Sequence, residues 1–399
     1  MRMTTFVGGL LALGVTQAGA ADWAFDPKVA VSAVYNDNIE LTEIPGEAVS
    51  VSGAKVDAEV TLRADAPRTS FRLTPRLRST FYPGDPEEEA DDQFIRMALD
   101  QKTERTEASL NADYSRMITL GAYFPTSTIG PSGELGNPGT GADIARVNVR
   151  NREERLDVIP AFSFEVSPRG SIDLHAEYLD VGYDKQVPGD QTDYSNIMGL
   201  AAYRFEMSRT ASLALRGMFS KYDPKNGYSS TDTYGLDAEW SNRLSDTQQI
   251  YLRGGAEQVQ VAASAGGTKW DTGFSGGAGI RWAFQVTNIF VDLNRRLDPS
   301  SSGKVVTRDQ LRLQLSRKLG PTTTAFVGAR GIKDSGTGGS NSYPGEEYAT
   351  GSVGFEWRMT RQFALAGSYD YYWRKYEGAP RNADANAVSL GVVYEPHRL

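Results

Sequence analysis

Ala54-Lys55-Val56-Asp57-Ala58-Glu59-Val60-Thr61-Leu62-Arg63 decides the fold. Every second residue is apolar: Ala54, Val56, Ala58, Val60 and Leu62. The residues between them, Lys55, Asp57, Glu59, Thr61 and Arg63, are polar or charged. Successive side chains of a strand point to opposite faces, so this segment has one oily and one charged face. A soluble sandwich buries the oily face against a second sheet. A membrane barrel turns it to lipid and keeps the charged face in a wet lumen. The alternation recurs in short runs from Ser52 to Tyr394, punctuated by turn residues.

The punctuation favours the barrel. Short turns are read at Ala66-Pro67-Arg68, Ser167-Pro168-Arg169-Gly170, Met207-Ser208-Arg209-Thr210 and Leu244-Ser245-Asp246-Thr247. Others fall at Gln285-Val286-Thr287-Asn288, Leu319-Gly320-Pro321 and Met359-Thr360-Arg361-Gln362, with a weaker one near Lys102-Thr103-Glu104. Between them lie longer segments rich in Gly, Pro, Ser, Asn and acid, such as Asn36 to Ser50, Met117 to Arg146 and Lys333 to Glu347. From Met207 the short turns are 37, 41, 34 and 40 residues apart, room for an up strand, a long loop and a down strand. Short turns alternating with long loops mark an outer-membrane barrel, whose short turns face the periplasm. The predicted fold is an all-β, antiparallel up-and-down transmembrane barrel of 18 strands. At ordinary spacing and tilt its backbone diameter is about 35 Å, too wide for side chains alone to fill.

Aromatic placement points the same way. Phe164, Phe205, Trp240, Trp282 and Trp357 each precede a short turn, in phase with the apolar face. That phase predicts one ring at the periplasmic interface, where amphipathic rings are favoured. Tyr35, Phe81, Tyr114, Phe219, Tyr371 and Trp373 fall towards the opposite rim. The last strand alternates Val388, Leu390, Val392 and Tyr394 with Ser389, Gly391 and Val393. An even strand number places both termini on the periplasmic side.

Residues 1–20 read as a secretory signal, with Arg2, an apolar run from Phe6 to Val15 and Ala18-Gly19-Ala20. The remaining divisions are a short periplasmic tail at 21–27, the barrel at 28–394 and a C-terminal tail at 395–399. Loss of Arg2 leaves 41 Lys and Arg against 50 Asp and Glu, a net charge of −9. That balance argues against a nucleic-acid partner. The chain has no Cys, which removes disulfides and thiolate metal sites. No apolar run is long enough for a membrane-spanning helix.

The polar faces supply the candidate lumen. Arg63, Arg72, Arg76, Arg78, Asp57 and Glu59 line the first two strands of the alternating region, and acid there should meet base in wet ion pairs worth about 0–1 kcal/mol each. Arg216, Arg253, Arg281, Arg312 and Arg374 are further inward residues by phase. Tyr222, Tyr251 and Tyr372 share that face, placed either to stack on sugar rings or to pack on arginine stems. The Met117 to Arg146 loop either narrows the lumen or lies on the surface. The acidic stretch Asp85-Pro86-Glu87-Glu88-Glu89 with Asp91 and Asp92 offers oxygens to Ca²⁺ or Mg²⁺, but without EF-hand spacing it reads as a solvated loop. Catalysis finds little support and no cofactor is implied. There are two His, His175 and His397, and neither a Gly-x-Ser-x-Gly elbow nor a His-Glu-x-x-His pair.

Val31-Ser32-Ala33-Val34-Tyr35-Asn36-Asp37-Asn38, with Leu174-His175-Ala176-Glu177-Tyr178 and Tyr183-Asp184, resembles a known family. It is similar to the outer-membrane barrels that accompany exopolysaccharide gene clusters, the beta-barrel porin 2 group. The resemblance implies no catalytic residues. It implies secretion of a polysaccharide across the outer membrane, with outer-membrane lipid, the barrel assembly machinery and periplasmic polysaccharide-export proteins as partners. The rival expectation is a diffusion porin for small polar solutes. From the residues alone, the Tyr-Asn-Asp-Asn element reads as a strand end and turn, because Asn and Asp bond locally to the backbone.

Overall fold

The computed structural model describes residues 21–44, 46–119, 151–185, 191–225, 228–262, 268–336, 345–377 and 381–396. It contains eighteen strands in chain order. They are β1 (Asp22–Asn36), β2 (Val51–Ala66), β3 (Thr69–Phe81), β4 (Ala90–Lys102), β5 (Thr106–Ile118) and β6 (Arg152–Ser167). Next come β7 (Gly170–Tyr183), β8 (Tyr194–Glu206), β9 (Ala211–Pro224), β10 (Thr231–Ser245), β11 (Gln248–Ala262) and β12 (Thr268–Ala283). The last six are β13 (Thr287–Pro299), β14 (Val305–Lys318), β15 (Thr323–Gly336), β16 (Glu346–Arg358), β17 (Phe363–Tyr376) and β18 (Ala383–Tyr394).

Each strand pairs antiparallel with its chain neighbour, and β1 closes the ring on β18 from Val29↔Tyr394 to Asn36↔Ala387. Closure pairs the two end strands along Val29 to Asn36, as a bilayer demands of backbone polar groups. All eight predicted short turns join strands at one end of the barrel. The longer connections gather at the other.

Burial follows the alternation. On β18, Val388, Leu390, Val392 and Tyr394 are exposed on the outer surface. On β2, Val56 is exposed while Lys55 and Asp57 are buried within. A soluble protein does not leave such a belt uncovered. Phe164, Phe205 and Trp357 stand exposed near the short turns, and Tyr35, Phe81, Phe219 and Tyr371 near the long loops. These are the two aromatic girdles of a membrane barrel. At the seam, the rings of Phe363 and Tyr394 meet at 4.9 Å between centroids.

One boundary differs from expectation. Residues 22–27 are not a tail: Asp22 to Pro27 pair with Asp65 to Val60 of β2. Trp23 and Phe25 continue the outward apolar phase, which extends the strand. Pro27 is tolerated because it lies beyond Tyr394, where β18 no longer flanks β1.

Candidate functional site

The candidate site is the lumen, built from every second residue of each strand. On β2 and β3 the register sets Asp57 opposite Arg78 and Glu59 opposite Arg76. The side chains pair diagonally instead. Arg76 grips Asp57 with both Nε, at 2.7 Å, and Nη2. Arg78 turns the other way, and its Nε and Nη2 reach Asp92 Oδ2 at 2.9 and 2.7 Å. Asp92 Oδ1 also accepts the Ile118 amide at 3.0 Å, so this pair braces β3, β4 and β5. The Phe94 ring lies 5.3 and 5.2 Å from the two guanidinium carbons. Arg78 and Asp92 are both buried, which corrects the expectation of a uniformly wet ladder. Arg63 pairs with Asp65 at 3.1 Å, and Arg72 is exposed to the lumen.

The two kinds of arginine should respond differently to charge reversal. Arg72→Glu should assemble with little loss of stability, because it disturbs a solvated site. Arg78→Glu should cost several kcal/mol, because it buries acid against Asp92. Urea unfolding midpoints in lipid vesicles check this, and equal midpoints would refute the distinction.

Further round the wall, Arg216 bridges Asp237 at 2.6 Å and Glu239 at 2.9 Å. Arg253 and Arg281 have partners of another kind. Arg253 donates through Nη2 to the amide oxygen of Asn294. Arg281 lies over the Phe290 ring, 5.8 Å from its centroid. With its amide oriented to satisfy both, Gln310 Oε1 accepts from Arg312 Nη2 at 3.2 Å and from Arg330 Nε at 3.0 Å. Tyr251 donates its hydroxyl to Asp292 across β12. Its ring occupies the space a Cβ would need at Gly279, so glycine there lets the phenol lie flat on the wall.

At the loop end, two connections fold inward. The first joins β1 to β2. Asn36 Oδ1 accepts the Asn38 amide at 2.8 Å, and Asn38 Nδ2 donates to the Thr42 and Asp384 carbonyls at 3.0 and 2.9 Å. Asp37 Oδ1 and Oδ2 accept the Asn386 amide and its Nδ2, both at 2.7 Å. The Tyr-Asn-Asp-Asn element therefore clamps the seam and aims Leu41 into the lumen. Leu41, at φ 50°, is buried with Ile332, Tyr348, Tyr372, Ala383 and Ala385, and Ile118 of β5 packs on the same cluster. Arg374 Nη2 caps the Leu41 carbonyl at 2.7 Å.

The second connection joins β13 to β14. Ser300, Ser301 and Ser302 are buried. The Ser300 carbonyl accepts the Tyr222 hydroxyl at 2.6 Å, and the Ser301 carbonyl accepts the Thr192 amide at 2.9 Å. Gly303, at φ +80°, turns the chain where a Cβ would strike the Tyr228 ring at 2.6 Å. Val305 joins Leu179, Val181, Tyr183, Tyr194 and Tyr222 in a second apolar cluster. Beside it Arg308 binds Asp334 through Nε and Nη2 at 2.8 and 2.7 Å, and Asp298 through Nη1 at 3.2 Å.

Tyr222 and Tyr372 are buried in the two apolar clusters beneath the folded loops rather than offered to sugar rings. Leu41, Ser300 to Ser302, Asp298 and Asp334 were not among the predicted lumen residues. The Met117 to Arg146 stretch lies outside the described residues from 120 onward, as does His397. His175 faces inward on β7, while its neighbour Asp173 is engaged by Ser163 Oγ at 2.6 Å and Arg204 Nε at 3.1 Å. In the acidic stretch, Pro86–Glu88 form a 3-10 turn and Asp92 is committed to Arg78. Among the described residues no cluster of three acids or His is placed to hold a metal ion.

A closed 18-stranded barrel with an apolar outer belt, two aromatic girdles and a charged interior is an integral outer-membrane β-barrel. No family model and no curated protein matches the chain. The chain is similar to solved structures of other proteins. Pseudomonas aeruginosa OccK2 (OpdF) in complex with glucuronate is 9% identical, with a TM-score of 0.47 over 94% of this chain and 98% of that one. The FrpB iron transporter from Neisseria meningitidis is 8% identical, with a TM-score of 0.43 over 93% and 81%. Acinetobacter baumannii OccAB4 is 9% identical, with a TM-score of 0.44 over 93% and 97%.

Proposed function

We propose that the barrel is a gated conduit through which a polysaccharide leaves the cell, with no chemistry of its own. The observation that carries this reading is the pair of inward-folded connections across the outer end of the lumen. A diffusion porin works by standing open. A secretion conduit must stay shut until polymer and periplasmic export proteins engage it. The resemblance of the N-terminal strand and its Tyr-Asn-Asp-Asn element to exopolysaccharide-associated barrels supports the same direction of traffic, and makes those export proteins the expected partners.

Two measurements test it. Deleting the gene should abolish surface polymer while the synthesis machinery stays intact, and normal export in the deletion strain would refute the proposal. In planar bilayers the wild type should be mostly silent, whereas a steady open channel would make it a diffusion porin. Asn38→Ala removes the side chain that fastens the first connection to Thr42 and Asp384. Each lost hydrogen bond contributes about 0.5–1.5 kcal/mol, so open time should rise about tenfold. An Asn38→Ala channel as silent as the wild type would place the gate elsewhere.

A further inference from the structure

The register between β12 and β13 stops short of the loop end. β12 is paired along Thr268 to Ser275 with Ala262 to Gly255 of β11. On its other side, pairing with β13 ends at Gly276↔Arg295. β13 itself continues: Arg296 to Pro299 pair with Arg308 to Val305 of β14 and have no register partner on β12. The outer half of β12 therefore presents a strand edge. Trp270 and Phe274 on that stretch are exposed on the outer apolar face, so the edge lies at bilayer depth, where backbone groups without a strand partner are costly.

The strand that should cover this edge lies behind the wall instead. Alternation gives Leu297 and Pro299 the outward phase of the exposed Leu293, and Val305 shares it as the partner of Pro299. Yet Leu297 packs on the cluster that buries Val305 with Leu179, Val181 and Tyr194, inward residues of β7 and β8. The Leu297 methyls also lie 3.9 Å from where a Cβ would stand on Gly273, an inward position of β12. The outer face of the β13–β14 end thus rests against the inner face of the neighbouring wall, lapped inside it. The Tyr222 and Thr192 bonds to the Ser300 and Ser301 carbonyls hold it there. Continuing the register two residues beyond Gly276↔Arg295 sets Leu297 opposite Phe274, two apolar side chains facing lipid. Pro299, which has no N–H to give, would end that pairing.

We infer that the free edge of β12 is a second seat for the β13–β14 end, and that the lumen opens when this end slides outward and pairs Leu297 with Phe274. Each seat has its own bonds: the Ser300 and Ser301 carbonyls and the apolar cluster when lapped, the β12 backbone when paired. An element with two discrete packings switches between them rather than deforming continuously. The inference rests on the gated-conduit reading and names the part of the gate that moves.

The chain has no Cys, so an engineered disulfide tests this cleanly. Full-length barrel carrying Phe274→Cys with Leu297→Cys is refolded, oxidised with copper phenanthroline and placed in planar bilayers. In the lapped state the two side chains lie on opposite faces of the wall and cannot join. In the paired state their Cα atoms come to about 5.5 Å, within disulfide range. Oxidation should consume both thiols, raise open time at least tenfold over the reduced variant, and be reversed by dithiothreitol. Heat-modifiable gel migration reports folding, and Thr272→Cys with Pro299→Cys, the next outward pair, is the second variant and should behave alike. Thiols that stay free in both variants, or oxidised barrels as silent as reduced ones, would overturn the inference. So would a disulfide-linked dimer of the single Phe274→Cys variant, since the edge would then take a second copy of the chain. A locked variant that conducts, with normal export in the deletion strain, would uphold the moving end and refute the conduit. Loss of export on deletion with a silent locked variant would do the reverse.

Discussion

Arg308→Ala should lower the stability of the barrel by about 3–5 kcal/mol and unseat its outer closure. Arg308 is buried between Asp334, fully buried on β15, and Asp298 at the end of β13. Removing the cation takes from the buried Asp334 its ion-pair partner, while Asp298 keeps Arg296 Nε at 2.7 Å. Ser300 to Ser302, which follow Asp298 in the chain, are buried as well. The cheapest escape is for the β13–β14 connection to lift, which breaks the Tyr222 to Ser300 hydrogen bond and hydrates the acids. The variant should therefore unfold at lower urea in lipid vesicles and conduct where the wild type is silent. Asp334→Asn should be milder, since Asp298 still faces Arg308. An unchanged midpoint together with a silent Arg308→Ala channel would show that this ion triad does not hold the closure.

The fold was legible because the bilayer imposes a simple rule on every strand. Ala54 to Arg63 obeys it residue by residue, and the loop asymmetry supplied the sidedness. The phase also assigned the candidate lumen residues to the inner face. What the rule does not encode is pairing. Arg78 pairs with Asp92 of β4 rather than with Asp57 of β2, and that choice depends on Phe94 and on the Ile118 amide, which strand phase does not report. The inward loops were hidden for a related reason. Leu41 and Ser300 reach partners hundreds of residues, or many strands, away: Arg374 and Tyr222 respectively. A signal was nonetheless present. Leu179, Val181, Ile332 and Tyr348 are apolar in the inward phase, near the loop end of their strands. Apolar residues facing a wet lumen need a cover, and here the cover is the folded loops. Pro27 misled in the opposite way: a residue that usually ends a strand was accommodated where the ring has one open flank.

Val60→Arg and Thr61→Arg place the same side chain on adjacent residues, and they should have opposite outcomes. Val60 faces outward in the apolar phase with Val56 and Leu62, whereas Thr61 faces inward, its Oγ1 3.2 Å from that of Thr74. An arginine at Val60 must cross or thin the hydrocarbon, at a cost of about 2–4 kcal/mol near the midplane. An arginine at Thr61 enters water beside Arg63 and Arg72 and forfeits one hydroxyl contact, at about 1 kcal/mol. The sheet backbone is the same in both cases, and so is the added charge, so solvent on the two faces is the sole difference. Refolding into vesicles should yield a heat-modifiable barrel for Thr61→Arg at near wild-type efficiency and a much reduced yield for Val60→Arg. The reverse order would turn the barrel inside out, and would take with it the lumen assignment of every arginine on which the closure depends.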